Sequence, residues 1–372
     1  MQTTRRWYRS LRRAVGVAFA PMTPLEPDPT VPRQFGVTVL DGRIRLGRIV
    51  VWAFAIGLLV ATFLVYIQRG LYPADEITYI AAGERLNAGH ELYALVPGDR
   101  DVALRPPFWT VPLLSPPFIA VVWRPLAALP GEAGIPIWWA LTVGSILAAI
   151  VLLAMRRPMM TAAALIVLNV PLVYELAVGN VNGILLLLAV ATWWALARGH
   201  DTAAGAIVAL MAAFKLTPIV LGWYLVTQRR WRAVGGLVGA GFALLVVSVA
   251  GAGLDAHIRY LEIVRQTNLL GSSDLSLAGV ARALGVPPDV AMYVPTAALV
   301  AGLAAMALLR SRPGVAWAIA IFTVVVGSPV VNINWYAFLL AALAPLAWPM
   351  ERPEDRRRAK PQPIAVPLRE AT

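Results

Sequence analysis

IVVWAFAIGLLVATFLVYI, residues 49–67, runs for 19 residues without a charge. As a helix rising 1.5 Å per residue it reaches about 28 Å, close to the roughly 30 Å of hydrocarbon in a bilayer. A buried helix of a soluble core rarely needs that length, and Arg48 and Arg69 bracket the stretch. The rest of the chain repeats the pattern. Of its 372 residues 59% are hydrophobic and only 14% charged, against about 25% charged in an ordinary soluble domain. Mean hydropathy is +0.69. These features predict an all-α, polytopic integral membrane protein.

Ten stretches qualify as spans, at about 49–67, 113–129, 135–155, 160–178, 182–198, 203–226, 233–251, 290–309, 314–331 and 335–349. The second and the last are short. With the N-terminus in the cytoplasm, most of the 32 basic residues fall on the inner face, including Gln228–Arg232, Arg310 and Arg312, as the positive-inside rule asks. Arg156, Arg157 and Arg198 run against it. The net charge of +12 therefore reports topology and not nucleic acid. Residues 1–48 carry nine arginines broken by prolines and predict a cytoplasmic basic arm without a cleavable leader, since the run AVGVAFA stops at Pro21. Residues 350–372 predict a disordered cytoplasmic tail, which leaves 49–349 as the membrane domain. The long external segments, 68–112 and 252–289, predict short helices along the outer membrane surface, because apolar residues such as Ile77, Ile80, Ala81 and Leu86 recur at helical spacing.

Composition removes several chemistries. There is no cysteine, so disulfides and thiolate nucleophiles are out. His90, His200 and His257 lie far apart without metal-ligand spacing, and no phosphate-binding glycine motif or HExxH is present. No cofactor and no metal are expected.

The polar residues that remain are few. Asp75 and the adjacent Glu76 follow the first span; a carboxylate at the membrane surface suits general-base work, and an acid early in a helix equally suits its N-terminus. Lys215 stands mid-span in AAFKLTPIV. An intramembrane cation needs a partner: a carboxylate such as Glu175, a helix-end carbonyl or an anionic ligand such as a lipid phosphate. Arg105, Arg259, Arg265 and Arg282 are external phosphate candidates, or simply solvated. Asn180 and Asn182, in ELAVGNVN, suit helix ends or bridges between helices. In SPVVNINWY (328–336), Asn334, Trp335 and Tyr336 suit a sugar by hydrogen bonds and ring stacking, or an interfacial aromatic belt.

The order of these motifs, DEITYIAAGERLNAGHELY (75–93), RPPF (105–108), VGNVNG (178–183), AFKLTP (213–218), DLSLAGVAR (274–282) and SPVVNINWY (328–336), resembles glycosyltransferase family 87, polytopic enzymes of the GT-C class. The resemblance covers roughly residues 70–340. It implies transfer of a sugar, mostly mannose and in some members arabinofuranose, from a polyprenyl-phosphate donor to a lipid-linked or cell-envelope glycan or glycolipid acceptor, outside the cytoplasm and with inversion. Asp75 would be the base and Glu76 a supporting acid. Lys215, with Arg105, Arg265 and Arg282, would hold the donor phosphate. Asn180, Asn182, Asp274, Ser276, Asn334, Trp335 and Tyr336 would contact sugar or acceptor. Asn334 stands where the family often has His, and Asp274 where Asn is common. A transporter or lipid-carrier flippase draws on Lys215, Glu175 and the proline-broken spans, but most of the polar signal lies in external loops. A scaffold for wall assembly is a third reading.

Overall fold

The computed structural model describes residues 36–70, 73–94, 98–100, 113–270 and 275–350, with side chains omitted at 36–45 and 266–270. Contacts divide the chain into two units, Met1–Arg48 and Ile49–Thr372, and the second holds the packed helices. The first 35 residues of the basic arm, the tail from 351, Arg105 and Asp274 lie outside the described residues.

Every regular element among the described residues is helical. In chain order they are α1 (Gly36–Gln68), α2 (Ala74–Asn87), α3 (Pro117–Ala127), α4 (Gly134–Arg156), α5 (Pro158–Val167), α6 (Asn169–Val178), α7 (Asn182–Ala197), α8 (Asp201–Phe214), α9 (Val220–Thr227), α10 (Trp231–Ala252), α11 (Leu254–Leu270), α12 (Leu277–Ala283), α13 (Pro288–Ala291), α14 (Val294–Leu308), α15 (Pro313–Val326) and α16 (Ala344–Ala347). Single-turn 3-10 pieces sit at Pro130–Glu132 and Thr217–Ile219, and a longer one at Ile333–Leu343.

The expected ten spans do not appear as ten membrane-length helices. Among the described residues four are long and apolar enough to cross: Leu46–Gln68, Pro130–Arg156, Trp231–Ala252 and Pro288–Leu308. A fifth is added if α5 and α6, bent by 68° at Leu168, count as one. The other expected spans are short apolar helices, such as Asn182–Ala197, whose 16 residues reach only about 24 Å. The reason is local chemistry. The 203–226 stretch breaks at Lys215, which is extended: Pro218 has no N–H to bond the carbonyl of Phe214 four residues back, so α8 ends at Phe214 and the chain resumes as the 3-10 turn Thr217–Ile219. The 113–129 stretch keeps only 11 helical residues, which begin at Pro117, the second of two paired prolines. The last stretch winds mostly as a 3-10 helix. Helices are present in both long segments, as expected: α2 in the first, α11 and α12 in the second.

Aromatic side chains tie the short helices together. Tyr79, Trp123 and Trp138 form one buried cluster joining α2, α3 and α4. Trp193, Tyr224 and Trp317 form another joining α7, α9 and α15. A buried indole N–H usually finds an acceptor: Trp138 donates to Gly179 O at 2.9 Å and Trp317 to Ala341 O at 3.0 Å, while Trp123 Nε1 is buried without a partner among the described residues. Helices α8 and α10 pack more closely than larger side chains permit, since a Cβ on Gly205 would collide with Ala233 O. Small residues at a crossing are the usual device for helix association in lipid. The outward faces of α1, α10 and α14 stay apolar and exposed, for example Phe54, Phe242 and Val300, as lipid contact requires.

Candidate active site

The site begins where helices stop. Helix α2 follows Pro73, whose ring provides no side-chain cap, and places Asp75 and Glu76 in its first turn. The two neighbours point to different places. Asp75 is half-buried and lines a cavity of about 310 Å³; its Oδ2 accepts a 2.7 Å hydrogen bond from Asn180 Nδ2. Glu76 turns inward, is 1% exposed, and its Oε1 has no hydrogen-bond partner among the described residues. Burial pushes the Glu76 carboxyl up to about 7, because desolvation disfavours the charged form.

Asn180 is held by the turn between α6 and α7. Gly179 there has φ +68°, a left-handed backbone that glycine adopts without cost. A Cβ at that position would come within 2.6 Å of the Glu76 Cβ and 2.8 Å of its Oε2. Glycine thus serves twice, turning the chain and letting α2 approach. Asn180 Oδ1 accepts from the Asn182 backbone N–H at 3.2 Å, so its amide is oriented with Nδ2 toward Asp75.

Lys215 enters the cavity from another break. It follows α8 in extended conformation, φ −143° and ψ 132°, at the negative end of that helix's dipole, a favourable position for a cation. Its Nζ donates to Asn182 Oδ1 at 2.8 Å and lies 4.0 Å from the centre of the Trp335 ring, within cation–π range. Next to it in the cavity wall, Thr217 Oγ1 is buried without a hydrogen-bond partner among the described residues. Lys215 is the sole cation lining the cavity among the described residues. The remaining wall is mixed: Ser328 and Asn332 are polar, and Leu113, Ile263 and Val330, with the ring of Tyr260, are apolar.

More than half of the chain, residues 114–331, matches the model of glycosyltransferase family 87. The chain belongs to that family. Among its relatives are two polyprenol-phosphate-mannose-dependent alpha-(1-2)-phosphatidylinositol pentamannoside mannosyltransferases. That of Mycolicibacterium smegmatis is 30% identical over 241 residues, covering 60% of this chain and 55% of the relative. That of Mycobacterium tuberculosis is 27% identical over 256 residues, covering 64% and 57%. The chain thus spans somewhat over half the length of each. No solved structure matches it.

In this family-87 chain Glu76, expected as a supporting acid, is buried away from the cavity lining, and the other described residues expected from sequence divide into three groups. Asp75, Asn180, Lys215 and Trp335 meet at the cavity. Asn182 and Asn334 are buried behind it, and both donate their amide Nδ2 to Glu175 Oε2. The third group lies off the cavity lining. Ser276 caps α12, its Oγ accepting from Gly279 N at 3.1 Å. Tyr336 donates to Leu275 O at 2.8 Å. Arg265 is exposed on α11 and Arg282 sits in the last turn of α12. Sequence reading passed over Thr217 and Tyr260, and took in Asn332 only as part of SPVVNINWY. Thr217 had a usable signal, since it lies inside the AFKLTP motif beside Lys215. Tyr260 did not, because only the folded position of α11 brings it to the wall.

Proposed function

We propose that the chain transfers a sugar, most simply mannose, from a polyprenyl-phosphate donor to a lipid-linked or cell-envelope glycan acceptor. The reaction takes place on the extracytoplasmic side of a multi-pass protein with both termini in the cytoplasm. Family membership supports glycosyl transfer, and the two mannosyltransferase relatives support the donor class. One observation carries the residue assignment: a half-buried carboxylate, Asp75, and an ammonium, Lys215, line the same cavity.

The chemistry needs little more. Asp75 removes the proton of the acceptor hydroxyl as its oxygen attacks the anomeric carbon. The bond from that carbon to the phosphate oxygen breaks on the opposite face, so the configuration inverts. The polyprenyl phosphate leaves with the electron pair. An ammonium has three N–H donors; Lys215 gives one to Asn182, and its remaining donors suit the departing anion, with the Thr217 hydroxyl beside them. Charge stabilisation of this kind is worth most in a site shielded from water. The apolar wall on α11 suits the first isoprene units of the donor.

The test is Asp75→Asn, assayed as membranes supplied with radiolabelled polyprenyl phosphomannose and crude lipid acceptor. The amide keeps the bulk but loses the basic oxygen, so transfer should fall by about 10²-fold or more, while the protein stays folded in detergent. Wild-type transfer by this variant would remove Asp75 from the reaction.

A further inference from the structure

Behind the Lys215 ammonium lies a second carboxylate, set back from the cavity wall. Glu175, at 0% exposure on α6, is the most deeply placed acid among the described residues. Its carboxylate takes hydrogen bonds from the backbone N–H of Gly183 at 2.8 Å, Asn182 Nδ2 at 3.2 Å and Asn334 Nδ2 at 2.9 Å. All three groups donate. Such a set matches an ionised carboxylate, which accepts only. Among the described residues no ion pair joins Glu175 directly to Lys215: one amide stands between them, with Asn182 Nδ2 on Glu175 and Asn182 Oδ1 on Lys215 Nζ.

An amide has one donor end and one acceptor end, and nothing in its shape says which should face the cation. Glu175 decides it. A carboxylate accepts only, so it takes the Nδ2 end and turns the Oδ1 end toward the ammonium, which donates only. Asn334 supports the carboxylate from the far side. We infer that Glu175 is a positioning residue for the transfer reaction: through Asn182 it holds the Lys215 ammonium at the cavity wall, over the Trp335 ring, ready for the donor phosphate. The inference rests on the donor-phosphate role proposed for Lys215.

Glutamine at 175 keeps the shape and adds a donor. Asn182 is then free to reverse, and its Nδ2 facing Lys215 repels the ammonium. A double-mutant cycle separates this from a merely structural loss. Glu175→Gln, Lys215→Ala and the double variant of the full chain would be assayed for donor KM and kcat with radiolabelled polyprenyl phosphomannose. Each single variant should raise donor KM by about tenfold, and the double variant should be no worse than Lys215→Ala alone. Multiplying losses, or an unchanged KM in Glu175→Gln, would overturn the inference while leaving Lys215 its role. Wild-type kinetics in Lys215→Ala would overturn both. If Glu175→Gln does not yield a folded protein, Asn182→Ala takes its place in the cycle. It cuts the link yet leaves Glu175 its bonds to Gly183 and Asn334, and the same outcomes decide.

Discussion

Replacing Glu76 by glutamine should change the stability of this protein with a sign that depends on pH. The carboxyl titrates near 4.5 in an unfolded chain and near 7 when buried in α2. Between those values the folded state binds the proton that the unfolded state has already released. Stability therefore falls as pH rises from about 4.5 to about 7, and the whole penalty is present above 7. At roughly 1.4 kcal/mol per pH decade, the loss is on the order of 3 kcal/mol. Glutamine is uncharged throughout and close in volume. At pH 5, where the folded protein holds Glu76 neutral, the variant and the parent should unfold together, because the missing partner at Oε1 costs an amide and a carboxylic acid about the same. At pH 8 the variant should unfold several degrees higher. Tryptophan-fluorescence melts in detergent at both pH values measure the difference. An equal shift at pH 5 and pH 8, or a variant less stable at pH 8, would refute the argument that burial of the charge is what Glu76 costs.

Three other outcomes are expected. Gly179→Ala meets a left-handed φ of +68° and the Glu76 Cβ at 2.6 Å; it should lose about 2 kcal/mol or more of stability and most transfer activity, read by melts and by the radiolabel assay, and parent-like values for both would contradict the close approach of α2. Thr217→Val removes a hydroxyl that has no partner among the described residues, so the melting temperature should hold or rise while donor KM increases several-fold; an unchanged KM would take Thr217 out of the phosphate site. Glu91→Cys, at an exposed position after α2, should react with a membrane-impermeant thiol reagent on intact cells, and labelling only after permeabilisation would reverse the proposed orientation.

Much of this was legible in the sequence, and the part that was not has one cause. Hydropathy finds a membrane protein because it sums over 20 residues and ignores what happens to the backbone within them. It therefore read 203–226 as one span, although Lys215 and Pro218 lie inside it and the helix ends at Phe214. It read 160–178 as another, although the chain bends by 68° there. The motif reading picked out Asp75, Asn180 and Lys215 because charges and amides stand out against an apolar background. Asn334 stood out for the same reason, yet it faces Glu175 and not the cavity. Which way a side chain turns depends on the local winding of the segment, here a 3-10 helix, whose period of three residues departs from the 3.6 of an α-helix.

The shortfall in spans and the location of the site are one fact. A backbone that leaves the helical path inside hydrocarbon exposes N–H and C=O groups at a cost of several kcal/mol each, unless protein or a water-filled cavity receives them. A break in an apolar helix is thus expensive unless a site occupies it. In this chain the breaks converge: the loop before α3 brings Leu113 and Ser115, the turn after α6 brings Asn180, the interruption after α8 brings Lys215 and Thr217, and the break after α15 brings Ser328 and Asn332. Side chains of neighbouring helices satisfy some of the backbone groups at the breaks, as when Trp138 donates to Gly179 O and Glu175 accepts from the Gly183 N–H. Short helices are therefore the means by which a carboxylate and an ammonium face one cavity in a protein otherwise built for lipid. Joining any of them into a continuous span would move a cavity residue off the wall.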